Sequence, residues 1–127
     1  MDAQQEIFTR LKLDLEAIGY DVYDGELPPA DTPYPFFYLG DFRQNDSPTK
    51  GRSVGFVYPT IHVWHNNTKQ RGTVSRMLLD AKVILRKLDH TESFSWLAAD
   101  ISQRIFADST TNKPLLHGVI EAELKFS

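Results

Sequence analysis

The four histidines are the side chains in this sequence best suited to metal binding or to acid–base chemistry near neutral pH: His62, His65, His90 and His117. Two of them, His62 and His65, are only three positions apart. Residues three apart on a strand point to opposite faces, so this pair cannot chelate one metal ion. Zinc also needs three or four converging ligands. We therefore interpret the histidines as surface or interface residues and predict no metal site.

No motif of a catalytic type is visible elsewhere in the sequence. The chain has no cysteine, which excludes disulfides and thiolate chemistry. Its serines and histidines form no nucleophile elbow, and its glycines do not have the spacing of a phosphate-binding loop. The acids within residues 21–31 do not have the spacing of a calcium loop. We therefore expect no enzyme and no cofactor.

Basic residues lie near aromatic ones in the middle of the chain. The bases are Arg43, Lys50, Arg52, Lys69, Arg71 and Arg76, and the aromatics are Phe42, Phe56, Tyr58 and Trp64. Basic grooves with stacking rings are typical of proteins that bind single-stranded nucleic acid. A pI of about 5.7 argues against general nucleic-acid binding. We favour a solvated hairpin tip with sheet aromatics and keep a small nucleic-acid-binding module as an alternative.

Length and charge limit the kind of protein that carries these residues. The 127 residues suit one domain over 1–127, with an ordinary 41% of apolar residues. Charge is unevenly distributed. Residues 1–35 hold eight acids and two bases, a net charge of −6, whereas residues 43–87 hold nine bases and two acids, a net charge of +7. Such segregation suits a subunit that assembles or docks. No secretory signal or membrane span is expected.

Hydrophobic periodicity predicts an α+β fold. The expected elements are a helix over 4–18, a strand over 35–40, a polar loop or arm over 41–53, a strand over 54–65, a helix over 73–89, a strand within 94–107 and a strand over 116–126. Asp2 and Gly19 are predicted to cap the first helix, and Gly72 or Thr73 to cap the second. This α-β-β-α-β-β order predicts a two-layer sandwich. Its mainly antiparallel four-stranded sheet would carry two helices on one face.

The strand over 54–65 carries bulky side chains on both faces. Val57, Ile61 and Val63 lie on one face, and Phe56, Tyr58, His62 and Trp64 lie on the other. Both faces are therefore expected to be covered. Pro59 lacks an amide hydrogen, which indicates an edge strand or a β-bulge.

Several segments resemble the tail-completion family of phages and prophages, whose members are similar to tail terminators. The resemblance covers residues 4–126. It rests on PFFYLG at 35–40, YPTIHVW at 58–64 after a polar loop, the helix that begins after Gly72 and ends in LRKL at 85–88, and LHGVI at 116–120. Pro59 and the proline-rich stretch 28–35 depart from the family pattern.

The resemblance implies a role in assembly. Such proteins form a ring, usually a hexamer, that caps the finished tail tube, ends its elongation and offers a surface to the head. The expected partners are further copies of the chain, the tail-tube protein and a head-completion or connector protein. DNA would pass through the lumen without specific binding, and no membrane is involved. The expected location is the tail–neck junction of the virion, after assembly in the host cytoplasm.

No catalytic residue is implied by the resemblance. The candidate protein-interface residues are Arg43, Lys50 and Arg52 in the arm, and Phe56, Tyr58, His62 and Trp64 on the second strand. A head-completion or connector adaptor of the phage neck remains the nearest alternative. The nucleic-acid-binding module is a further alternative, and a small enzyme is the least favoured one.

Overall fold

The computed structural model describes residues 1–48, 51, 53–109 and 112–127. In chain order, the described elements are α1 (Ala3–Ala17), β1 (Val22–Asp24), β2 (Phe36–Asp46), β3 (Gly55–His65), α2 (Arg71–Lys87), β4 (Trp96–Asp108) and β5 (Leu115–Phe126). Neither helix within these ranges is long and apolar enough to cross a membrane.

The strands form one mixed sheet in the order β1-β2-β3-β5-β4. β1 runs parallel to β2, and the other neighbouring pairs are antiparallel. Both helices pack on the same face of the sheet and share one core with it. The predicted α+β class with two helices is confirmed, whereas the predicted four-stranded sheet is wrong. The missing strand, β1, has only three residues, too few for an alternating pattern to indicate it.

Helix α1 begins and ends where its capping residues predict. The Asp2 side chain accepts a hydrogen bond from the backbone N–H of Gln5 at 3.1 Å. Gly19 follows the helix with φ +101°, a left-handed conformation that glycine adopts without strain. Its N–H donates to the carbonyl oxygen of Glu16 at 3.0 Å. The predicted caps at both ends of α1 are therefore confirmed.

Replacing Asp2 with alanine is expected to lower the free energy of unfolding by about 1 kcal/mol, because an N–H in the first turn loses its acceptor. Asp2→Asn keeps an acceptor and should stay close to the wild-type value. Urea denaturation followed by circular dichroism measures both variants. Equal midpoints for Asp2→Ala and Asp2→Asn would contradict a capping role.

The core lies between the helices and one face of the sheet. Its fully buried side chains include Ile7, Leu11 and Leu15 from α1, Met77, Leu78 and Leu85 from α2, and Phe37, Ile61, Leu124 and Phe126 from the sheet. The buried residues of α1 recur at helical spacing, as in an amphipathic helix. Ile18, the residue that follows the helix, is 50% exposed.

Helix α2 begins earlier than predicted. Its N-cap is Gln70, which makes no side-chain capping bond, so the predicted caps at Gly72 and Thr73 are wrong. Both residues lie within the helix. Arg86 and Lys87 occupy its last turn, where basic side chains interact favourably with the helix dipole.

Strand β2 continues through part of the segment predicted as an arm. It runs to Asp46, so residues 42–46 pair with β3 instead of forming a loop. Lys50 and Arg52 lie outside the described residues. The extra residue in β2 between Leu39 and Phe42 makes a bulge, and Pro59 pairs with Phe42 beside it. Pro59 is therefore in a central strand next to a bulge, and the edge-strand alternative is wrong.

A hydrogen-bond network joins α1 to the start of β4. Glu6 accepts bonds from the Thr91 hydroxyl at 2.7 Å and from the Ser93 N–H at 2.9 Å. The Trp96 indole N–H donates to the Thr91 hydroxyl at 2.9 Å. This network leads into β4, which begins at Trp96 within the range 94–107 predicted for a strand.

Candidate functional site

The face of the sheet opposite the helices carries no covering helix or strand among the described residues. We call it the open face. It is formed by Tyr23 of β1, Phe36, Tyr38, Arg43 and Asn45 of β2, Phe56, Tyr58, Thr60, His62 and Trp64 of β3, Leu97, Asp100, Ser102, Arg104 and Phe106 of β4, and His117, Val119, Glu121, Glu123 and Lys125 of β5. On β3 the alternation is regular, with the other face buried. Coverage of both faces, expected from the sequence, is not provided within the described chain.

The structure places five of the seven candidate interface residues on this open face. Arg43 pairs with Tyr58 across β2 and β3, and its guanidinium carbon lies 4.1 Å from the centre of the Tyr58 ring. Phe56 stacks beside Tyr58 with ring centres 6.2 Å apart. These three form a half-exposed group at one end of the face, while His62 and Trp64 lie towards the other end. The other two, Lys50 and Arg52, cannot be placed, as they fall outside the described residues.

A second group of rings surrounds His117. The Nδ1 atom of His62 lies 2.8 Å from the Nε2 atom of His117, a hydrogen bond between the two rings. Trp64 stacks on His117 with ring centres 3.7 Å apart and planes 14° apart. Phe106 closes the group from β4, with its ring centre 4.8 Å from that of His117. His117 is only 7% exposed, so this end of the open face is already packed.

Burial keeps this histidine pair uncharged at neutral pH. Burial, the largest cause, together with the neighbouring His62 lowers the pKa of His117 from 6.5 to about 4. Asp108 opposes the shift, but its Oδ2 atom lies 3.5 Å from Nδ1 of His117, too far for a strong hydrogen bond. Burial also lowers the pKa of His62. Between neutral rings, one nitrogen donates and the other accepts, so the pair suits packing rather than proton transfer.

The prediction that His62 and His65 point apart is confirmed. His62 lies on the open face, whereas His65 is buried on the helix side. Within residues 1–48, 51, 53–109 and 112–127, no group of three or more potential metal ligands comes together. A pair of neutral imidazoles alone is too few for a structural zinc site.

Sequence reasoning missed His117 as the partner of His62. The alternation in the last strand placed Val119, Glu121 and Glu123 on one face, and continuing it backwards by two residues reaches His117. That His62 and His117 meet also depends on the pairing of β3 with β5, in which His62 lies opposite Val119 and Trp64 opposite His117. Alternation indicates a face but not a register, so the contact was not predictable.

A shallow acidic depression of about 340 Å³ occupies the centre of the open face. Four carboxylates line it: Asp41, Asp100, Glu121 and Glu123. Arg43 is the one basic residue among the described residues of its wall, and Tyr58, Thr60 and Ser102 supply hydroxyl groups. The lining residues thus carry a net charge of −3. Among the described residues, none of the four carboxylates forms an ion pair.

Comparison with known proteins gives a match in fold. No protein-family model matches the chain, and no curated protein is similar to it in sequence. A solved structure described as the virion of a native gene transfer agent particle contains a similar chain, with a TM-score of 0.54 and 16% sequence identity. The match covers 96% of this chain and 93% of that one, so it extends across both helices and the whole sheet. This chain therefore has the fold of a chain found in a gene transfer agent virion.

Proposed function

We propose that this chain is a structural subunit of a phage-like virion, and that it acts as a tail terminator. In this role, several copies form a ring, usually of six, that caps the finished tail tube and stops its growth. The opposite side of the ring then binds the head-completion or connector protein. The proposal assigns the chain no catalytic step.

The observation that carries the proposal is the full-length match in fold to a chain of a virion. At 16% identity the match concerns the fold alone. We infer the assembly role from this match together with the properties of the open face. The sequence resemblance to tail-completion proteins independently favours the same kind of particle.

The open face supports a role in assembly. Tyr58 and Phe56 lie half-buried on it beside Arg43, and Leu97 is 64% exposed on its outer strand. Aromatic residues and arginine are the side chains enriched where proteins meet. A two-layer domain that leaves one sheet face without a helix gains by covering that face with another chain, because burial of apolar surface is favourable.

The test is assembly of tail tubes in the presence of the purified protein, viewed by negative-stain electron microscopy. The tail-tube protein of the same virus or prophage is polymerised alone and with increasing amounts of the chain. We expect tubes that become shorter as more chain is added and that carry a ring at one end. A double variant, Phe56→Ala with Tyr58→Ala, should cap far fewer tubes.

The matched control is Leu27→Ala, which shortens an exposed side chain of the loop between β1 and β2 and should cap normally. Unchanged tube lengths and no rings on tube ends would overturn the terminator role. If the chain instead bound the purified head-side connector and left tubes unaffected, the adaptor role in the neck would replace it.

A further inference from the structure

We propose that the outer face of helix α2 in one copy docks onto the acidic depression on the open face of the next copy. This inference rests on the proposed ring and names the two surfaces that would join its subunits. It concerns contacts between identical chains, so the two surfaces must be complementary in shape and charge.

The outer face of α2 is basic with two apolar residues in its middle. Arg76, Leu79, Val83 and Arg86 follow one another at helical spacing on the exposed side, and Leu79 and Val83 are 48% and 41% exposed. The helix contains five bases and one acid, a net charge of +4.

Most of these bases have no acidic partner among the residues that the structure describes. Within that part of the chain, only Arg76 forms an ion pair, to Asp80 at 3.3 Å. Arg71, Lys82, Arg86 and Lys87 make none with the described residues. An exposed helix with unpaired bases and two unburied aliphatic side chains offers both charge and apolar surface to a partner.

The acidic depression offers the opposite arrangement. Its four carboxylates surround the Tyr58 ring and a short hydroxyl-bearing stretch, and they too lack ion pairs among the described residues. The depression, with a net charge of −3, therefore lies on the opposite side of the sheet from helix α2, whose net charge is +4. Complementary surfaces of this kind orient encounters and fix register.

The dimensions are compatible. Helix α2 has 17 residues, which corresponds to a length of about 25 Å at 1.5 Å per residue. Strand β5, next to the central strand of the sheet, has 12 residues, or about 40 Å at 3.3 Å per residue. A helix lying along the strands thus fits within the open face.

The two surfaces lie on opposite sides of a two-layer domain. A contact between unlike surfaces is heterologous, so every bound copy leaves one free surface of each type. Addition then continues until the rotation closes a ring. Pairing of the depression with the same depression of a second copy would instead give a two-fold dimer and bring like charges together, which is unfavourable.

Disulfide trapping tests the contact directly, because the chain has no cysteine of its own. The variant carries Val83→Cys on α2 and Ser102→Cys in the depression, both conservative in size and neither changing a charge. The two positions lie on opposite sides of the sheet, so they cannot form a disulfide within one copy. Mild oxidation, alone and with the tail-tube protein, should give a ladder of linked copies on a non-reducing gel.

A second pair, Leu79→Cys with Ser102→Cys, allows for a shift of one helical turn. The matched control is Leu13→Cys with Ser102→Cys, since Leu13 is 58% exposed on α1 and lies outside the proposed contact. Each single variant should give dimers at most. Charge reversal at Arg86→Glu with Lys87→Glu in the trapping variant should reduce the ladder at least tenfold.

A ladder from either α2 pair and none from the Leu13 pair supports the docking contact. No ladder from either α2 pair, with or without the tail-tube protein, overturns it, as does an equal ladder from the control. The outcomes of the disulfide trapping can be distinguished from those of the terminator test. Rings on tube ends without the ladder would support the terminator role and reject this contact. A ladder without capped tubes would support this contact and reject the terminator role.

Discussion

Replacing Gly118 with valine is expected to lower the free energy of unfolding by about 3 kcal/mol, a large share of the stability of a small domain. Gly118 lies on β5 where α2 crosses the sheet. A Cβ atom at this position would lie 2.7 Å from Cγ1 of Val74 and 3.1 Å from Cδ1 of Leu78. Both side chains are fully buried, so neither has room to move aside. Valine adds two further carbons to this contact.

Chemical denaturation of matched variants checks this expectation. Gly118→Ala should lower the free energy of unfolding by less than Gly118→Val does. The loss caused by Gly118→Val should become smaller when Val74→Ala removes the colliding methyl group. A double-mutant cycle measures this change. Gly72→Ala is the control, since nothing lies within 4 Å of a Cβ there and helix α2 should gain about 0.5–1 kcal/mol. Wild-type stability in Gly118→Val would show that α2 packs elsewhere on the sheet.

The histidine pair is expected to make the fold acid-sensitive. The pKa of His117 is about 4 in the folded protein, below its ordinary value of 6.5. Between these pH values the unfolded chain binds more protons than the folded one. The contribution of the neutral His117 to the free energy of unfolding is therefore fully present above pH 6.5 and is lost as the pH falls towards 4. This difference between the folded and unfolded pKa values corresponds to about 3 kcal/mol in the free energy of unfolding. The lowered pKa of His62 acts in the same direction.

Urea denaturation at several pH values between 7 and 4 measures this loss. In His117→Phe the titrating group is gone while an aromatic ring remains beside Trp64, so the dependence on pH should become shallower. His90→Gln is the matched control, because His90 is exposed and lies outside the ring group. An identical pH dependence in wild type and His117→Phe would show that folding does not lower the pKa of His117.

The sequence predicted the parts of the fold that depend on local chemistry. Asp2 and Gly19 cap α1, and the alternation of β3 separates Val57 and Ile61 from Tyr58 and His62. Strand β1 was not predicted because its three residues are too few to show a period. Its pairing with β2 joins segments that are distant in sequence, so local patterns do not indicate it. The start of β4 was not predicted either. Trp96 is positioned by a side-chain hydrogen bond to Thr91, which no hydrophobic pattern indicates.

The candidate surface was predictable strand by strand but not as a whole. Alternation placed Phe56, Tyr58 and Trp64 together because they share one strand. The acidic depression joins Asp41, Asp100 and Glu121 from three strands, and their meeting depends on register and on the bulge in β2. A bulge changes which side chains share a face, and Pro59 indicated a bulge or an edge strand without giving the position of the extra residue in β2.

The position of β5 has a consequence for synthesis of the protein. This strand is translated after the other four, yet it lies between β3 and β4 in the sheet. Until it emerges from the ribosome, β3 presents an unpaired edge and α2 lacks the strand that it crosses at Gly118. A truncated or stalled chain therefore has neither a complete open face nor a positioned α2, and assembly would select for finished copies.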